Sequence, residues 1–183
     1  DVERRHPDKI ITDTLAFDNA VKEAVEFYNQ HPDETLILVT ADHETGGLTL
    51  GFSGTNYDTY FDNLANQKIS YAKFDSDYVA NYKKNKTSFE NVLKDIKTNF
   101  GLITSKDADA KKAENSRLTL SDYEYNKLKT AYDKTMSGSK DLSQEEYELY
   151  GSYEPLTVTI THILHNKSGV SFTSYSHTAL VFN

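Results

Sequence analysis

One run constrains this chain more than any other: Thr35-Leu-Ile-Leu-Val-Thr-Ala41, followed at once by Asp42-His-Glu-Thr-Gly-Gly47. A short, uninterrupted apolar stretch bounded by polar residues predicts a strand buried on both faces, as in a parallel sheet. Ligands of open α/β sheets bind where such strands end at their carboxyl side. The pattern therefore sets a carboxylate and an imidazole, Asp42 and His43, at the place where an α/β protein keeps its site. Gly46 and Gly47 allow the backbone to turn and to approach a ligand closely.

The residues before this run support the same class. Phe17, Val21, Ala24, Val25 and Tyr28 recur at near-helical spacing and predict an amphipathic helix over Thr14–His31. His31-Pro-Asp33 ends it. Helix, short loop and buried strand make half of an α/β repeat. Leu48–Phe52 reads as a further short extended segment.

Character changes from Tyr57 to Tyr150, where Lys, Asp, Asn and Tyr accumulate. Three capping-box patterns mark helix starts: Thr87 with Glu90, Ser121 with Glu124, and Ser143 with Glu146. Phe89, Val92, Leu93, Ile96 and Phe100 follow the first and Gly101 closes it. Tyr125, Leu128 and Tyr132 follow the second, with Gly138 past its end. Asp75–Tyr82 is a further candidate helix, and Ser105–Ser116 has no clear pattern. The block reads as a helical insertion. Glu154-Pro155 then opens a last section. Leu156, Ile160, Ile163 and Leu164 form a helical stripe, yet Thr157-Val-Thr-Ile-Thr161 alternates as a strand would, so both assignments stay open. Val170–Thr173 and Ala179–Phe182 read as extended. The organisation expected is an α/β core segment over 1–56, the helical insertion over 57–150 and a second core segment over 151–183.

A net charge of −8 argues against nucleic acid as a partner. It leaves room for a small phosphorylated substrate, because a bound metal reverses the local field. No apolar run approaches the ~20 residues of a membrane span. With no cysteine there is neither a thiolate zinc site nor a cysteine nucleophile.

Asp42 and His43 are oxygen and nitrogen donors of the kind zinc takes. The plainer reading of the pair is a polar loop that caps a strand. His177 lies in Thr173-Ser-Tyr-Ser-His-Thr178, where a hydrogen-bonded loop histidine is the plainer reading. His162 and His165 share a helical face beside an apolar stripe, which suits partly buried packing histidines. His6 and His31 flank prolines as surface turn residues. Glu44 reads as a solvated loop carboxylate, with a base or a ligand-orienting role as the sharper alternative.

Val39-Thr-Ala-Asp-His-Glu-Thr-Gly-Gly-Leu48 closely resembles the metal-binding motif of the alkaline phosphatases. Leu15–Phe27 looks like the helix that precedes the motif there. Tyr150-Gly-Ser-Tyr-Glu-Pro-Leu-Thr157 and Thr173–Thr178 look like the family's C-terminal region. The helical middle is similar to the insertion of larger bacterial members. The resemblance implies a three-layer α/β/α sandwich, present in part, with that insertion. It implies two zinc ions and a magnesium, and a phosphomonoester substrate attacked by a serine to give a phosphoseryl intermediate. Asp42 and His43 would hold the zinc that activates the serine, and His177 would help hold the other. Such proteins are often dimers and work in the periplasm or outside the cell, so a homodimer in one of those compartments is expected.

Departures accompany it. The family's serine, its zinc–magnesium bridging aspartate and its other magnesium ligands find no match here, which reads as a C-terminal portion of a longer enzyme. An Asp-x-x-x-His pair should precede the first helix. Here Asp1-Val-Glu-Arg-Arg-His6 is one residue too wide, so those roles are not carried onto Asp1 or His6. The rival expectations are a non-catalytic module acting through metal or protein contacts, and a phosphodiesterase or sulfatase of the same superfamily.

Overall fold

The computed structural model describes residues 7–41 and 46–172. The chain divides into two compact units, Asp1–Thr49 with Phe172–Asn183, and Leu50–Ser171.

In the first unit, helix α1 spans Pro7–Gln30, starting earlier than the periodicity predicted because proline suits a first helical turn. It ends where His31 donates its N–H to Phe27 and Tyr28 at 3.1 and 3.0 Å. Leu36–Ala41 corrects the expectation of a strand. The segment has no regular secondary structure, and Leu36 and Leu38 are 80% and 78% exposed. A strand exists only through its ladder partners, and among the described residues none pairs with this segment. The described residues are accordingly mostly helical with one two-stranded sheet, β1 (Leu48–Leu50) against β2 (Val170–Phe172), and do not by themselves form the expected three-layer sandwich.

The second unit is built around helix α7 (Pro155–Ser168), on which α2 (Tyr71–Phe74), α4 (Phe89–Phe100), α5 (Asp122–Ser137) and α6 (Gln144–Tyr150) all pack. This helix takes up residues 155–168 of the segment that the sequence grouped with the C-terminal core. It settles the open choice over Thr157–Thr161 as helix. Leu156, Ile160 and Leu164 are fully buried, and so is Thr157. A helix enclosed on all sides must satisfy its polar side chains internally. Thr159 donates to the Pro155 carbonyl at 2.9 Å, Thr161 to Thr157 at 3.0 Å and Ser168 to Leu164 at 2.7 Å, the back-bonding open to hydroxyls in a helix interior. Thr157 itself donates to the Asp75 carboxylate.

Around α7 the core joins Phe74, Val79, Tyr82, Phe100 and Leu128. Phe74 meets Phe100 edge-on at 5.0 Å and stacks on Tyr78 at 4.9 Å, contacts that add to area burial. Tyr82 buries its ring and donates its hydroxyl to Asp95 at 2.8 Å. Burial and that carboxylate push the phenol well above its ordinary range. Between α2 and α3 (Ala80–Asn85) the chain makes one wider turn, Asp75–Val79, in which the Ala80 N–H reaches the Asp75 carbonyl five residues back.

The capping boxes at Ser121 and Ser143 form in full. The one expected at Thr87 does not. Ser88, one residue later, takes the N-cap position of α4 without a side-chain capping bond, so Glu90 falls out of the capping register. Gly169 closes α7 at φ 72°, where a Cβ would lie 2.8 Å from the Asp58 carbonyl oxygen, so only glycine fits there. Its own carbonyl accepts from the Gly51 N–H at 2.7 Å.

Candidate metal centre

Asp42, His43 and His177, together with Glu44 and His6, lie outside the described residues. The structure describes what flanks them. Ala41 is exposed and outside any helix or strand on the near side of the motif. On the far side Gly46 and Gly47 take φ 77° and 69°. That is two consecutive left-handed residues, a conformation that a chain of L residues with side chains rarely adopts. The motif's two glycines are thus required by its backbone. Strand β1 begins at the next residue, Leu48, and β2 ends at Phe172, one residue before the Thr173–Thr178 tract.

The donor set of one carboxylate and two imidazoles suits zinc in type. In number, three donors complete one catalytic zinc and fall short of two. Among the described residues no group of three histidine, aspartate or glutamate side chains could hold a metal ion. His165 is buried in α7 and His162 is half-buried beside it, as packing histidines. His31 is exposed at the end of α1 with its ring 4.6 Å from that of Phe27.

Sequence reasoning missed a cavity of about 630 Å³ within the helical unit, along one face of α4. An ionic latch closes one end. Lys97 reaches Asp107 at 2.8 Å and Asp109 at 2.9 Å, and Lys112 pairs with Asp109 at 2.8 Å. Lys112 and Lys97 together hold the Asp109 carboxyl down to about 2, and Lys97 lowers Asp107. The same bonds raise both ammonium groups. The signal available in the sequence was the order Glu90, Leu93, Lys94, Lys97 at three- and four-residue steps, which puts all four on one face.

No helix among the described residues is long and apolar enough to cross a membrane. No curated protein and no solved structure matches the chain at a significant level. The model of one family, Alkaline phosphatase, does match, over residues 4–147. The match takes in α1, the Asp42–Gly47 motif and the helical unit as far as α6, and it stops short of α7 and His177. With most of its 183 residues matched, the chain belongs to the alkaline phosphatase family.

Proposed function

We propose that this chain serves phosphomonoester hydrolysis by contributing zinc ligands, with Asp42 and His43 on one ion and His177 on a second. The observation that carries the reading is the motif itself, a carboxylate and an imidazole side by side ahead of two left-handed glycines, in a chain of this family. Zinc would supply Lewis acidity, and in paired sites metals stabilise both the entering and the departing oxygen of an in-line displacement, with magnesium nearby. The chain's own part is narrower. Asp42 binds through carboxylate oxygen, the histidines bind through neutral ring nitrogen, and Gly46-Gly47 lets the backbone fold away from the ion. No residue of the chain is assigned as nucleophile. On this reading the protein acts in the periplasm or outside the cell, and a homodimer is its assembly.

Zinc titration by calorimetry tests this. The unaltered chain is expected to bind, and Asp42→Ala and His43→Ala should each weaken binding by about tenfold or more. A His43→Ala chain that binds zinc as the unaltered one does would sink the proposal. Because three donors are too few for two zinc ions, the 183-residue chain alone should not turn over a chromogenic phosphate ester.

One observation favours a second reading, a non-catalytic module acting through protein contacts. Leu36, Leu38 and Val39 are exposed, as are Ile11, Leu15 and Phe27 of the same unit, and apolar surface of this kind is what a protein partner would cover. Zinc titration separates the two, since this reading requires no metal.

A further inference from the structure

We infer that the pocket shared by Asp58, Tyr60 and Arg117 binds a small α-amino acid, with the ligand's carboxylate on Arg117 and its ammonium on Asp58. The inference is independent of the phosphatase reading. Every residue it uses lies in the Leu50–Ser171 unit, and none is a proposed zinc ligand.

Arg117 is the one arginine among the described residues, in a chain that carries 28 aspartates and glutamates. A guanidinium in such company ordinarily takes a carboxylate, which its fork of N–H donors matches. Among the described residues Arg117 takes none. Its guanidinium carbon lies 3.5 Å from the centre of the Tyr60 ring instead, a stacking distance that holds the cation over the ring face.

At its other end the same ring holds an anion. The Tyr60 hydroxyl donates to the Asp58 carboxylate at 2.9 Å. One side chain thus sets both charges, the cation over its face and the anion at its hydroxyl edge. Asp58 and Arg117 line one pocket, yet they form no ion pair with each other, and Asp58 has no other cation among the described residues. The remaining cation of the pocket, Lys167, is already engaged. Its ammonium holds the Thr119 carbonyl and the Glu124 carboxylate, both at 2.9 Å. The pocket therefore offers one unpaired charge of each sign, kept apart by a tyrosine.

The backbone fixes these groups in advance. The Tyr60 N–H donates to the Ser168 carbonyl at 2.9 Å, and the Asp58 N–H to the Thr55 carbonyl at 3.0 Å. Arg117 precedes the buried Leu118, whose N–H donates to the Asn115 carbonyl at 3.1 Å. Groups ordered beforehand lower the cost of binding.

Sign, spacing and size then select the ligand. A simple anion on Arg117 would meet Asp58 close by, and a simple cation on Asp58 would meet Arg117. A molecule with carboxylate and ammonium on one carbon answers both charges, takes two parallel bonds from the guanidinium and carries no net charge toward an acidic protein. The volume, about 270 Å³, falls below that of sites for drug-sized molecules, so the side chain is short.

Calorimetry on the full chain with L-alanine, N-acetyl-L-alanine and L-alaninamide tests the inference, in chelator so that no metal takes part. L-alanine is expected to bind with a dissociation constant of about 1 mM or tighter. Acetylation and amidation should each weaken it about tenfold. In Asp58→Asn acetylation should no longer matter, while amidation still should. In Arg117→Ala the dependence should reverse. Arg117→Lys keeps the charge and loses the fork, and should weaken L-alanine about tenfold. Both positions are exposed loop residues, and circular dichroism of each variant confirms the fold. Absence of L-alanine binding, or blocked forms that bind as well as the free one, overturns the proposal.

Discussion

The two units of this protein use apolar residues in opposite ways. In Leu50–Ser171 the large side chains Phe74, Phe100, Leu156 and Leu164 are wholly withdrawn from water. In Asp1–Thr49 the equally apolar Phe17, Val25, Leu36 and Leu38 remain open to it. Composition does not separate the two; availability of partners does. Around α7 each helix finds a neighbour, and burial of its stripe holds it in place. The Leu36–Ala41 run has all the apolar content of a buried strand and no ladder partner among the described residues. Apolar pattern therefore states what a segment needs, and only packing states whether the need is met.

Substitution is the most direct way to break that contrast. Leu164→Ala should destabilise the second unit by about 2–5 kcal/mol, by lost transfer energy and a residual cavity. Leu38→Ala should stay within about 0.5 kcal/mol, as at a surface position. Urea unfolding with midpoints at constant slope measures both. A large loss at Leu38 would mean that the run is buried in solution, and the contrast between units would collapse. Gly169→Ala comes next. The left-handed backbone and the nearby Asp58 carbonyl should cost about 1–3 kcal/mol, read as a lower thermal midpoint, and an unchanged midpoint would show that the β2 entry can shift.

The smallest effect concerns pH. Asp109 and Asp107 titrate below their usual value because Lys112 and Lys97 hold their charged forms. A depressed carboxylate contributes stability above its unfolded value near 3.8, and that contribution is lost as pH falls toward about 2. The groups are partly exposed, so solvent screens them and the effect is local. Amide exchange in residues 104–112 should accelerate on acidification between these values and with added salt, while the α7 amides hold. Equal acceleration in α7 would contradict a local latch.

Much of the helical unit was legible in advance, because its signals are local. The stripe from Phe89 to Phe100, its closure at Gly101 and the two serine capping boxes need only neighbours in sequence. The Thr87 pattern misled for a physical reason: the helix starts one residue later, behind Ser88, and Phe89 and Val92 reach the core from that register. Thr157–Thr161 was ambiguous because a threonine can face protein in a strand or bond back to its own helix. Only the enclosure of α7 decides between them. The Leu36–Ala41 strand depends wholly on distant pairing, which no local pattern encodes. For the candidate centre, the motif and its glycine conformations were legible; the gathering of His177 with Asp42 and His43 is a long-range matter that adjacency in sequence does not address. The cavity along α4 escaped notice because its far wall, residues 103–107, carries no periodic signal.

The wide turn at Asp75–Val79 holds one residue more than an ordinary helical turn would. The extra residue is absorbed within that turn, so the chain on either side keeps the faces of a continuous helix one residue shorter. Deleting one exposed residue there should let α2 run into α3 as one uniform helix, with the Tyr82 hydroxyl still on Asp95 and its ring still beside Phe74. A deletion within α3 ahead of Tyr82 has no such slack and would swing that ring by about 100°, so this stretch can lose a position at the wide turn and nowhere else.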